Sequence, residues 1–476
     1  MLNDIIYELE EVNYMNRIKQ YIGTRDFYLH ALAIAIPMIL QNMITNFVSM
    51  LDNVMVGQIG TMQMSGVSIV NQFIFVFNIT IFGSVSGASI FGCQFFGQRN
   101  AQGQKYTFRF RLLFASLIIL TGFFIFQLFD TQLISLFLSE KDSQEVILQT
   151  LQYGKDYCSI IVYSLIPFGI GQVYCSAIRE CKETKIPMYA ALSAIGFNLV
   201  LDYALIFGKF GFPAMGVKGA AIATVIAKII EAFVMIFWAH THLNKNPYLV
   251  HAYANVFDIP ASLAKQILLK SLPLLVNEFL WSLGMSTIAQ CYSVKGLDVI
   301  AARNIASTLT NLFGVVYIQF GSAIGIMTGT RLGASQFDQA KEDVKKLMPF
   351  VCMVTTLVAI CMIPIGIAFP KIYQTSVSIQ SLATYFILIN ALAMPLWSYA
   401  NSSYFILRSG GKIGITFLFD SGYTWIIVIP FAFILTRYTS FSIHTLIVLI
   451  TFIDAIKAFV GYFLVKSNIW VQNIVK

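Results

Sequence analysis

Leu112-Leu113-Phe114-Ala115-Ser116-Leu117-Ile118-Ile119-Leu120-Thr121-Gly122-Phe123-Phe124-Ile125-Phe126-Gln127-Leu128-Phe129 runs without a charged side chain. Such a run is long enough to cross a bilayer core of about 30 Å as a helix. Working outward from it, the same pattern returns along the whole chain. Apolar windows bounded by polar interruptions place spans near 29 to 51, 64 to 92, 108 to 129, 155 to 177, 188 to 208 and 219 to 239. Six more lie near 267 to 291, 300 to 328, 347 to 369, 380 to 406, 413 to 435 and 443 to 465. The sequence therefore predicts an all-α integral membrane protein of about twelve transmembrane helices.

Composition agrees. A soluble chain carries about a quarter charged residues, whereas here 11% are charged and 57% hydrophobic, with a mean hydropathy of +0.73. The formal charge of +8 does not imply nucleic acid, because the basic residues are strung between apolar runs and form no stripe. Seven cysteines form no CxxC pair and read as small hydrophobes. His240 and His242 lack a third ligand for a metal. No cofactor is expected. Residues 1–26 read as a short leader that stays in the mature protein, since the first apolar stretch is too long for a signal-peptide core.

An even number of spans puts both termini on one side. Twenty-one of the 31 Lys and Arg residues fall on that side, and the retention of positive charge on the cytoplasmic face makes it the cytoplasm. The even number also suggests two halves, expected over residues 27–240 and 263–466, with 241–262 as a cytoplasmic linker and 467–476 as a tail. Pro37 pairs with Pro273, and the same offset carries Ser86 to Ser322, Gly97 to Gly333 and Lys105 to Lys341. Later in each half, Lys228 and Glu231 fall on Asp454 and Lys457 with the charge order swapped. Each of those pairs has i, i+3 spacing and can neutralise itself, so a structural role is weighed ahead of a substrate or ion role. Halves of like orientation imply parallel-repeat transporters, with a substrate path between repeats.

Ionisable groups at membrane depth face a cavity or a partner and mark ion or substrate paths. Asp52 ends the first span, Asp202 lies in the fifth, Glu278 in the seventh and Asp420 in the eleventh. None has a basic residue three or four positions away. Pro37, Pro167, Pro273, Pro364, Pro395 and Pro430 lie within spans, where proline frees a carbonyl. Pro37 and Pro273 are read as matched helix bends.

At this point the chain resembles the multidrug and toxic compound extrusion (MATE) family. Pro37 followed by Asp52-Asn53-Val54-Met55-Val56-Gly57 is similar to the family's first-helix ending. Gln94-Phe95-Phe96-Gly97 before a basic loop is echoed by Arg331-Leu332-Gly333-Ala334. The most specific segment is Asn198-Leu199-Val200-Leu201-Asp202-Tyr203-Ala204-Leu205-Ile206-Phe207-Gly208, then Gly216-Val217-Lys218-Gly219-Ala220-Ala221-Ile222-Ala223-Thr224.

The resemblance implies two six-helix bundles forming a V, and antiport of organic cations or other drugs against protons or sodium. It carries an N-lobe cation site onto Asp52, Asn198, Asp202 and Thr224, a set of hard oxygen donors suited to sodium or a shared proton. It carries a C-lobe cation or substrate acid onto Glu278. The tenth-helix acid of one branch is missing between Asn390 and Leu407, with Asp420 as its candidate replacement, and Lys412 stands where many relatives have an acid. The expected partners are drug-like small molecules and the lipid bilayer, with no nucleic acid. The expected state is a monomer in the plasma membrane, with both termini cytoplasmic. A flippase of lipid-linked sugars or other amphipathic lipids is the alternative. No nucleotide loop, metal cluster or nucleophile triad suggests an enzyme.

Overall fold

The computed structural model describes residues 21–137, 144–373 and 375–475. Most of the leader and the last residue of the tail therefore lie outside the described residues. Among those described, twelve helices are long and apolar enough to cross a membrane. They are α1 (Arg25–Gly57), α2 (Thr61–Gly97), α3 (Ala101–Ser135), α4 (Gln144–Glu180), α5 (Lys185–Phe207) and α6 (Val217–Thr241). They continue with α7 (Ala261–Ser293), α8 (Leu297–Gly333), α9 (Phe337–Ile372), α10 (Val377–Ser409), α11 (Ile413–Tyr438) and α12 (Ile443–Lys466). Each sequence window falls on one of these helices, and most helices run past it. A helix of 37 residues such as α2 is about 55 Å long, so its ends project beyond a hydrocarbon core into the polar zones where apolar character fades.

Helix ends carry local signals. Asn100 caps α3, its side chain accepting from the Gly103 amide at 2.8 Å. Ser376 and Ser442 do the same for α10 and α12. α5 stops at Gly208, which takes a left-handed φ of +67°. α1 runs through Pro37 and α7 through Pro273 as single helices. α11 widens into two π turns, Leu418–Gly422 and Thr424–Val428, just before Pro430.

The chain divides into two compact units. One comprises Leu40–Phe96 and Asn100–Phe279, and is called the N-terminal unit below. The other comprises the described residues of Met1–Ile39, Gly97–Arg99 and Leu280–Lys476, and is called the C-terminal unit.

Within the N-terminal unit, the buried core includes Phe77, Ile81, Phe108, Ile119, Tyr174 and Met235. With lipid outside as apolar as the core, packing there depends on close fit and not on escape from water. The Gly83-Ser84-Val85-Ser86-Gly87 stretch of α2 supplies that fit against α7. A Cβ at Gly83 would lie 2.7 Å from Leu275 Cα, and one at Gly87 would lie 2.4 Å from Ser271 Cα. Two glycines four residues apart thus let two backbones meet.

The polar linker after α6 is held on this unit by the buried Tyr248 and Leu249, by the ion pair of Lys245 with Glu183 at 2.7 Å, and by Arg109. Arg109 is 4% exposed; its guanidinium donates to the carbonyls of Ala252 at 2.8 Å, Asp258 at 2.9 Å and His251 at 3.1 Å, and also to that of Ala254. Beside it Tyr174, His240 and Tyr253 share hydrogen bonds among their side chains, and burial pushes the Tyr253 hydroxyl above the usual tyrosine range. Deeper in, Arg111 pairs with Glu180 at 2.6 Å, and Ser176 donates to the same carboxylate at 3.0 Å.

The C-terminal unit has its own core, with Tyr292, Leu309, Phe386, Met394 and Ile447 among its members. Its tail is pinned as well. Trp470 is 1% exposed, and Asn473 donates to the Gly333 carbonyl at 3.0 Å.

A bulky side chain at Gly87 has to separate α2 from α7, because the obstruction is backbone. Gly87→Leu is expected to cost at least the ~1–3 kcal/mol of ordinary overpacking and to lower the thermal midpoint of the detergent-purified protein sharply. Gly196→Leu, at an exposed α5 position with nothing within 4 Å, is expected to leave that midpoint unchanged; equal losses would refute the close-contact account.

Candidate ion site

Asn198 and Asp202 sit one helical turn apart on α5, so both project from the same face. Both are buried, at 4% and 1% exposure. That face meets α6, which brings Thr224, and Asp52 arrives from α1. A cavity of about 100 Å³ has Asp52, Asn198, Thr224, Lys228, Glu231 and Ser49 in its wall; Asp202 is not part of that wall and reaches the cavity only through its neighbours Asp52 and Asn198. At about 30 Å³ per water, it has room for about three waters or one small cation. Drug-sized ligands fill about 300–1,000 Å³. The cavity is the size of an ion site.

Its polar atoms are unusual for a protein interior. Asp52 Oδ1, both carboxylate oxygens of Asp202 and the Asn198 amide nitrogen are buried and make no hydrogen bond of ordinary geometry among the described residues, facing one another instead. Asp52 and Asp202 are close enough to act electrostatically on each other, and Lys228 acts on Asp52 from across the cavity. Buried polar groups are almost always satisfied, so a convergent set of orphans marks a place where something charged can be held.

Of the residues singled out from sequence, Asp52, Asn198, Asp202 and Thr224 come together here. Thr224 spends its hydroxyl proton on the Ala220 carbonyl at 3.0 Å, which leaves the oxygen lone pairs for a cation. Glu278 lies half-buried on α7, outside the wall of this cavity.

Sequence reasoning missed Tyr157 of α4. Its hydroxyl donates to Asn71 at 3.1 Å and lies within electrostatic reach of both Asp52 and Asp202. It also missed that Lys228 and Glu231, which do pair at 2.9 Å, form part of the cavity wall. A composition signal existed only in the rarity of charge in α6.

Asp420 requires a correction. Read along the chain it has no basic neighbour, and Lys457 was expected to pair with Asp454 on its own helix. Instead, Lys457 Nζ donates to Asp420 Oδ1 at 2.7 Å across the α11 and α12 contact. Asp454 accepts from the Trp397 indole at 2.9 Å. The long lysine stem lets it reach a neighbouring helix, and the π turn Leu418–Gly422 carries Asp420 on a widened stretch of backbone. Asp420 is thus one half of an ion pair whose members are each 15% exposed.

The MatE family model matches this chain in two stretches, residues 37–204 and 273–434. These begin at Pro37 and Pro273, the two prolines that anchor the internal repeat. Over 297 residues the chain is 26% identical to the probable multidrug resistance protein NorM of Thermotoga maritima, a match covering 62% of this chain and spanning only 61% of that protein. Over 420 residues it is 23% identical to the probable multidrug resistance protein YoeA of Bacillus subtilis, covering 86% of this chain and 87% of the relative. Its fold resembles that of a mutant of the Vibrio cholerae MATE transporter VcmN, with a TM-score of 0.79 at 16% identity over 94% of this chain and 98% of the other. A MOP superfamily transporter from Pyrococcus furiosus gives a TM-score of 0.78 at 16% identity, over 94% and 97%.

Removing one partner of a buried ion pair leaves the other charge uncompensated, at a cost of about 3–5 kcal/mol. Asp420→Asn alone is expected to lower the thermal midpoint markedly, and the double variant Asp420→Asn with Lys457→Met to recover most of that loss. A double variant no better than the single would refute the pairing.

Proposed function

The chain belongs to the MatE family, and from that premise we propose that it is a cation-coupled antiporter that exports organic, cationic amphipathic compounds by alternating access. The coupling ion is a proton or sodium, and the protein works as a monomer in the plasma membrane with both termini cytoplasmic. The observation that carries this reading is an ion-sized cavity walled by Asp52 and Asn198, with the second carboxylate, Asp202, buried directly beside them.

Two adjacent carboxylates in a low-dielectric site repel unless a proton or a cation lies between them. Loading that ion joins α1 to α5. Losing it lets them part. Coupling then needs only that the ion binds one opening of the transporter better than the other, since a ligand of equal affinity for both shifts nothing. The drug, bound elsewhere, must favour the opposite opening, and Glu278 supplies the negative charge that pairs with a cationic substrate or takes a second cation. Asp420 serves as a C-lobe cation or substrate acid only after Lys457 has left it. The names of the curated relatives as multidrug resistance proteins support a drug cargo over a lipid one.

Ethidium efflux from an export-deficient host, with pH and sodium gradients imposed separately, tests the reading. The expected result is efflux driven by one of the two gradients, with Asp202→Asn and Asp52→Asn each lowering the driven rate at least about tenfold, the loss of one oppositely charged partner for the ion. Full-rate export by Asp202→Asn under every gradient would remove the coupling role. No efflux under either gradient, together with loss of envelope polysaccharide on deletion, would favour a lipid flippase.

A further inference from the structure

The cavity wall contains a cation of its own. Lys228 is held at 2.9 Å by Glu231, three residues on along α6, and its ammonium also lies 5.6 Å from the Phe168 ring centroid. Across the cavity stands Asp52, with Oδ1 in no hydrogen bond of ordinary geometry and with no ion pair to Lys228 within 4 Å among the described residues. The charged and titratable groups that face this arrangement are Asp52 on α1, Asp202 on α5, Tyr157, Cys175 and Arg179 on α4, the last of these donating to Gln41 at 2.7 Å, and Glu231 on α6 itself. Lys228 is the cation nearest to the carboxylate pair that these interactions identify.

The C-terminal unit shows a sixth-helix lysine making the other kind of choice. There Lys457 hydrogen-bonds not to the acid on its own helix, Asp454, but to an acid on a neighbouring helix, Asp420, at 2.7 Å. Asp454 takes an indole N–H instead. In the N-terminal unit the lysine stays with its own-helix acid, and the acid on the other helix is left open. The two lysines stand one turn apart in the repeat register and face acids on different helices, but Lys457 shows that the flexible four-carbon stem of a sixth-helix lysine can reach a carboxylate on a neighbouring helix.

We propose that Lys228 is a tethered counter-ion for the Asp52 and Asp202 site: Glu231 holds it aside while the coupling ion is bound, and it crosses to Asp52 when that ion leaves. This inference rests on the antiport reading above. It makes Lys228 a positioning residue that competes with the transported ion. The site is spared two bare carboxylates in its empty state, and the return of the ion displaces the lysine to Glu231. Glu231 sets how strongly the lysine competes.

The full-length protein purified in detergent tests this through the dependence of its thermal midpoint on pH and on sodium chloride, since an ion that binds only the folded site raises that midpoint. Glu231→Gln releases Lys228 toward Asp52, so half of the ion response is expected to need about tenfold more ion, one pH unit toward acid if the ion is a proton, at the low end of the effect of one opposite charge beside a carboxylate. Lys228→Met removes the competitor and is expected to need less ion than the wild type. The double variant is expected to behave as Lys228→Met, because Glu231 acts only through the lysine, and Glu231→Asp, which keeps the pair, to stay with the wild type. An undiminished Glu231→Gln shift in the double variant, or unmoved midpoints in all variants beside a responsive wild type, would overturn the lysine's role and leave the antiport reading standing. A wild type with no response to either ion would overturn both.

Discussion

In hydrocarbon there is no water to complete a hydrogen bond, so each polar group at membrane depth must find its partner inside the protein. The architecture follows from meeting that demand almost everywhere. Helices satisfy their own backbones, and hydroxyls such as Thr355 and Thr436 bond back to carbonyls of the preceding turn. Charged groups find one another across helices, as Arg111 does with Glu180 and Lys457 with Asp420. Single open atoms are scattered through the described residues, on Ser271, Thr328 and Ser398 for example, whereas at Asp52, Asn198 and Asp202 four of them converge and two of the three residues are acids. A scaffold closes its polar groups, and a site keeps some of them waiting.

The span pattern was legible because it depends on one local quantity, apolar length, which the sequence displays directly. The four residues of the candidate ion site were singled out because the resemblance carried them, and because intramembrane acids are rare enough to be noticed one at a time. What stayed hidden is contact between distant stretches. Arg109 and Arg111 read as ordinary cytoplasmic charges, yet both are buried, one against linker carbonyls and one against a carboxylate 69 residues away. Asp420 read as isolated because its partner lies 37 residues on. Tyr157 carries no charge and sits in a helix rich in other tyrosines, so nothing in the local sequence marks it out.

The repeat gives these differences a frame. A shared register from Pro37 and Pro273 through the second helix of each half sets the same backbone scaffold twice, and two matched family stretches begin at those prolines. The charges that this register brings together differ between the halves. The sixth helix of each half keeps an i, i+3 pair but reverses its order, so that the acid leads in one half and the base in the other. Reversal preserves neutrality within the helix while changing which neighbour the lysine can reach. Net charge is conserved, and connectivity is not.

Arg109 holds the linker by its backbone. Four carbonyls from His251 to Asp258 converge on one guanidinium, and a carbonyl is the same whatever side chain its residue carries. These contacts make no demand on the side chains beside them, although Ala252 packs in the core, the Asp258 carboxylate lies 3.8 Å from the same guanidinium, and the Tyr253 hydroxyl joins the side chains of Tyr174 and His240. Much of the linker's course is thus recorded outside the linker, in one arginine more than a hundred residues upstream.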